Sequence, residues 1–300
     1  VNNLSYYVYL IIFFGFALFT MAYSAGALGA ISGTVNSSTI ANSPLAINEL
    51  LNGMNGFIFL FLIAALIGGT IHKDFKYDMH MVLFSYPFSK GPYLIGKFVA
   101  GYIITLSVLF SATLGIIFGT LVPGVNPDLI APFSISPYLQ SFWIYIIPNT
   151  FFFGAISFAL VTFSRSIIVG FLIGFGLIII QGIADTLLSN LDNKILSAIL
   201  DPFGYNANLI YTEYWTVYEQ NENALPWEKW VIINRIIWSA VSAITFYTIY
   251  AKFEFHQQPI RIKWPWGKNK SAQNKSDQPL IKKIALPEIN LNFSLSNQFK

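Results

Sequence analysis

Six long apolar stretches, with almost every lysine and arginine held outside them, constrain this chain more than anything else in it. They run over Tyr6–Ala30, Gly53–Ile71, Leu94–Val122, Leu139–Phe163, Ile167–Leu188 and Val231–Tyr250. Crossing a hydrocarbon core of roughly 30 Å takes about 20 mostly apolar residues in a helix. Lipid supplies no hydrogen-bond partners, so each stretch must satisfy its own backbone by coiling. Barrel strands would alternate in character every second residue, and runs such as FIFLFLIAALIGG and IVGFLIGFGLIII do not. Composition agrees: 55% of the 300 residues are hydrophobic and only 10% charged, too little charge to cover a soluble domain. The expectation is an all-α polytopic membrane protein with six transmembrane helices in a domain spanning 1–255.

The placement of cations sets a direction, because cytoplasmic loops carry the excess of Lys and Arg. Lys73, Lys76, Lys90 and Lys97 lie between the second and third stretches, and Arg165 between the fourth and fifth. Nine more cations, from Lys252 to Lys300, follow the sixth. The other loops carry only Lys194 and Lys229, with Arg235 near the start of the last stretch, and hold acids instead: Glu49, Asp128, Asp192, Asp201, Glu213, Glu219, Glu222 and Glu228. Both ends are therefore expected in the cytoplasm, with the lipid bilayer of a bacterial inner membrane around the domain. The net charge of +3 comes from the inner loop and tail and points to anionic headgroups, not to nucleic acid. The first stretch lacks the basic start and short apolar core of a signal peptide. With no cysteine, disulfides and thiol chemistry are excluded. Residues 256–300, rich in Pro, Lys, Asn and Ser, read as a flexible basic linker. Val1 in place of methionine, and a tail that stops at Lys300, predict further sequence on both sides.

Two loops stand out. The inner one, HKDFKYDMHMVLFSYPFSKGPYLIGK, mixes charge with Met79, Met81, Val82, Leu83 and Phe84 before turning at Pro87. It contains no glycine from Ile71 to Lys90, which favours a short amphipathic surface helix over a solvated loop. The outer one, Ser189–Trp230, carries a DPFG sequence at Asp201–Gly204 and seven Tyr and Trp residues, as in segments lying at the headgroup level.

Few constellations suggest catalysis. Gly91-Pro-Tyr-Leu-Ile-Gly-Lys97 matches seven positions of a phosphate-binding loop, but Phe98 stands where Ser or Thr must ligate magnesium. Lys97 is expected instead to reach the headgroups. His72, His80 and His256 have no zinc-site spacing. No catalytic, metal or cofactor residue is assigned. Asp185 near the outer end of the fifth stretch reads either as a transport carboxylate or as an interfacial or helix-packing one. Pro148 should free a carbonyl and kink the fourth helix. Gly115 with Gly119, Gly170 with Gly174, and Gly26, Gly29 and Gly33 mark close helix packing, within the bundle or across a dimer.

Taken together, six spans, a basic inner loop after the second and a long outer segment before the sixth resemble the permease subunits of type-2 ATP-binding-cassette exporters. The likeness is densest at Asp74, Met79–Phe84, Pro87-Phe88-Ser89-Lys90 and Gly96-Lys97. It implies that this loop is a coupling helix docking on a cassette ATPase subunit through Asp74, Met79, Val82, Leu83, Phe84, Pro87 and Lys90. It further implies a second permease half and short re-entrant helices in the outer segment. DPFG, Asn234-Arg235 and the tail LPEINLNFS are also similar to bacterial proteins in which permease segments precede a zinc aminopeptidase domain. The expected function is ATP-driven movement of a substrate, with hydrolysis in the partner. An ion-coupled secondary transporter and a multi-span anchor for an attached aminopeptidase are the competing readings.

Overall fold

The computed structural model describes residues 4–27, 40–84, 89–188 and 193–254, apart from the side chains of 55–58, 81 and 188. Pro87 and the 256–300 linker therefore lie outside the described residues. Among those described the chain is helical, with no strand. Five helices are long and apolar enough to cross a membrane: α1 (Leu4–Ser24), α5 (Lys90–Gly119), the Ser136–Ser164 helix, α8 (Ile167–Leu188) and α12 (Lys229–Lys252).

The second apolar stretch is built differently from the others. α2 (Pro44–Ile63) passes through a π-helical turn, Ala64–Gly68, into α3 (Gly69–Lys76). Its two halves, Pro44–Met54 and Phe59–Lys76, meet at 54° across residues 55–58, where Gly56 stands in the sequence. The helix begins nine residues before the expected Gly53, so Glu49 sits on it and not in a loop. The local signal is plain in retrospect. Ser43 caps the helix by accepting from the Ala46 N–H at 3.3 Å, and Pro44 occupies the first turn, where its missing N–H costs nothing.

The fourth stretch runs from α6 (Ser136–Ser141) through a π turn, Phe142–Ile146, into α7 (Ile147–Ser164). Pro148 therefore stands in the first turn after a widened one, where its ring meets no regular ladder. The helix continues as one 29-residue span.

Lipid tails are as apolar as leucine, so burying apolar side chains drives helix association little there and close packing decides it. α1 lies against α5 where Gly115 and Gly119 fall one turn apart. A Cβ at Gly115 would run into the Phe14 carbonyl, and one at Gly119 into Met21. Gly170 faces Ser157 and Val161 of α7, and Gly174 faces Leu60 and Phe61 of α2. Both spacings thus serve contacts inside the chain. Gly26 lies past the end of α1, in a turn with φ +81°.

Between α7 and α8 the chain reverses at Arg165, whose φ of +56° ends the helix in the left-handed region. The inner loop is not one continuous helix. α3 stops at Lys76, Asp78 turns the backbone at φ +53°, and α4 covers only Met79–Leu83. The outer segment holds α9 (Lys194–Leu200), α10 (Tyr205–Thr212) and α11 (Val217–Glu222).

Candidate functional site

At the inner end, Asp74 is 4% exposed and turned into the protein. Lys97, one turn further into α5 than Tyr93, pairs with it at 2.7 Å, and the Tyr93 hydroxyl donates to Oδ2 at 2.9 Å. Lys97 thus turns inward to the end of α3 and not out to the headgroups. The phosphate-loop-like Gly91–Lys97 sequence is wound into the first turns of α5.

An aromatic cluster completes this brace. The Phe84 ring makes edge contacts with Tyr93 at 5.8 Å, Phe253 at 6.2 Å and Phe75 at 6.5 Å, and Tyr93 stacks on Phe253 at 6.0 Å. Phe84 therefore anchors the loop to α3, α5 and the end of α12. Outward from it, Met79 and Val82 are 54% and 64% exposed, beside Tyr77 at 64%. Leu83 is half-buried. The Lys90 ammonium lies 5.0 Å from the Tyr250 ring centre. His72 and His80 sit on separate helices and face the backbone carbonyls of Arg165 and Asp74.

At the outer end the DPFG sequence folds onto Asn234-Arg235. Asp201 accepts from the Phe203 N–H at 2.7 Å and the Asn206 N–H at 2.6 Å, which shapes a tight turn. Gly204 completes that turn at φ +82°, and a Cβ there would strike the Arg235 guanidinium. Arg235 is buried, and its charge is met by amides. It donates to Asn149 Oδ1 at 2.6 Å and, through Nε, to Asn234 Oδ1 at 3.0 Å, with the Tyr145 ring 5.6 Å away. Asn149 also donates to the Phe203 carbonyl at 3.0 Å, and Asn234 to the Asp201 carbonyl at 2.8 Å. Burial pushes the Asp201 carboxyl up to about 6, against the opposing pull of Arg235 and of the backbone N–H groups of Asn206, Phe203 and Gly204.

This node is one wall of a cavity of about 500 Å³. Glu49, Asn52 and Gly53 line it from α2, and Ile178, Gln181, Gly182 and Asp185 from α8; Phe203 and Tyr205 close it. The α2 and α8 positions follow helical spacing, so each helix turns one face to the space. Asp185 accepts from Gln181 at 2.7 Å and from Asn206 at 2.9 Å. The Glu49 carboxylate makes no hydrogen bond or ion pair among the described residues. Burial raises the Tyr205 phenol, with the carboxylates of Glu49, Asp185 and Asp201 adding to it. Sequence reading singled out Asp185 but missed Glu49 and Asn52, because their helix was placed too late in the chain.

The exposed aromatics of the outer segment are Tyr214, Tyr218 and Trp227, while Tyr211 and Trp215 pack inward under Leu225 and Val231. No family model matches the chain, and neither the curated proteins nor the solved structures contain a match.

Proposed function

We propose that this chain is the membrane-spanning permease component of an ATP-binding-cassette transporter, with hydrolysis carried out by a separate ATPase subunit and no active site of its own. In this reading the bent α2–α3 pair is the second of six spans, both ends are cytoplasmic, and the membrane is a bacterial inner membrane. The observation that carries it is the inner loop. A short helix offers Met79 and Val82 outward, between Lys76 and Lys90, from a base fixed by the Asp74–Lys97 pair and the Phe84 cluster. An element that transmits force needs both an outward apolar contact and a rigid root. Here the root reaches α3, α5 and α12, so a pull on α4 would move three spans together.

The docking contact is then Met79 and Val82, with Asp74 and Phe84 as the root. A second membrane half completes the pathway. Affinity purification of the intact protein from native membranes, with mass spectrometry of its companions, tests this. The expected result is a cassette ATPase that is lost when Met79 and Val82 are both changed to Glu, at unchanged thermal stability. The reading fails if no ATPase accompanies the protein, or if the double variant keeps it.

A further inference from the structure

The cavity between α2, α8 and the DPFG turn has a chemistry of its own. Its charged lining is two carboxylates, Glu49 and Asp185, with no Lys or Arg among the residues that form it. The amides add to this bias. Asn52 is 4% exposed and directs its nitrogen to Asn48, which leaves Oδ1 without a partner. Gln181 directs its nitrogen to Asp185, which leaves Oε1 without a partner. Each of these oxygens is a buried acceptor without a donor, on a residue that lines the cavity beside the two carboxylates.

We infer that this cavity binds the protonated amine of an organic cation, with the ammonium between Glu49 and Asp185 and the apolar body against Ile178 and Phe203. The size and walls argue against a bare metal ion. The space holds a small organic molecule, and the described residues contain no group of three or more metal-ligating His, Cys, Asp or Glu side chains. Phe203 and Tyr205 add aromatic walls to the space. The two carboxylates set a preference for primary amines over quaternary ones, which have no N–H to give.

Two glycines offer a direct lever. A Cβ at Gly53 or at Gly182 would meet nothing within 4 Å, so a larger side chain there grows into the open space and not into the protein. The helix itself gains from losing glycine.

The test is equilibrium binding of dansylcadaverine, a primary amine on a fluorescent apolar body, to the intact protein in detergent without nucleotide. Saturable binding is expected, competed by decylamine but not by decanol, and at least tenfold weaker for the N-acetylated probe. Glu49→Gln should weaken it about tenfold, and Gly182→Leu should abolish it, both at wild-type thermal stability. Equal binding of the acetylated probe, or equal binding by wild type and Glu49→Gln, would overturn the inference and reduce the signal to partition into micelles. Should Gly182→Leu prove unstable, Glu49→Gln decides alone. Because no ATPase is present, the result stands or falls separately from the transporter reading.

Discussion

The two ends of the bundle hold a cation in opposite ways. At the inner end Lys97 meets a carboxylate directly, and its side chain is still 31% exposed. At the outer end Arg235 is buried and is held by the carboxamides of Asn149 and Asn234, with no ion pair to a carboxylate among the described residues. A partly wet pair is screened, since water and salt reach its Lys97 side. A buried guanidinium solvated by amides has no such screening, and a missing acceptor leaves a bare charge. The comparison sets a salt-sensitive pair at the inner end against a water-excluded node at the outer turn.

The largest effect should come from removing an amide at the outer node. Asn149→Leu deprives Arg235 of an acceptor and the Phe203 carbonyl of its donor, and should cost about 3–5 kcal/mol, read as a lower unfolding midpoint in detergent. Arg235→Met in the same background should restore part of the loss. If Asn149→Leu is silent, the node is hydrated and the contrast between the ends collapses.

Gly204→Ala comes next. The left-handed backbone alone costs about 1–2 kcal/mol, and the new methyl also meets the guanidinium. The penalty should shrink when Arg235 is Met, so a double-mutant cycle on the unfolding midpoint isolates the clash.

At the inner end, Lys97→Met should cost only about 1–2 kcal/mol, because the Tyr93 hydroxyl still serves Asp74 and water reaches the pair. Its effect should fall as salt is raised, while that of Asn149→Leu should not. Equal salt dependence would remove the distinction.

The last test is a pH slope. Asp201 ionises near 3.8 when unfolded and near 6 in the fold. Between those values the folded state holds more proton than the unfolded state, so this group's contribution to stability falls as pH rises through the window and is level above it. Wild type minus Asp201→Asn, followed by unfolding midpoint from pH 4 to 7.5, should show that slope. A difference that rises with pH would mean that Arg235 outweighs burial.

How much of this was legible depended on whether the signal was local. Long apolar runs fixed the helices, and the ends of α8 and α12 fell where hydropathy put them, within two residues. The start of α2 was readable from Ser43-Pro44 but was masked by the polar Asn48, Glu49 and Asn52, which lower hydropathy where the helix lines a cavity. The spacing of Gly115 and Gly119 announced close packing, yet only the contact with Phe14 and Met21 placed it inside the chain. DPFG and Asn234-Arg235 were each conspicuous, about thirty residues apart, with nothing to say that one closes on the other.

What the sequence determined alone was the helical character and the segments long and apolar enough to cross a membrane, since apolar length and backbone satisfaction are properties of each segment by itself. What only the tertiary structure decided was the use of the few polar side chains. It turned Lys97 toward Asp74, and Phe84 inward while Met79 and Val82 face out. It gathered Glu49, Asn52, Gln181 and Asp185 around one space, and it surrounded Arg235 with amides. In an apolar solvent a polar group must find its partner on another helix, and which helix that is depends on the packing of the whole bundle.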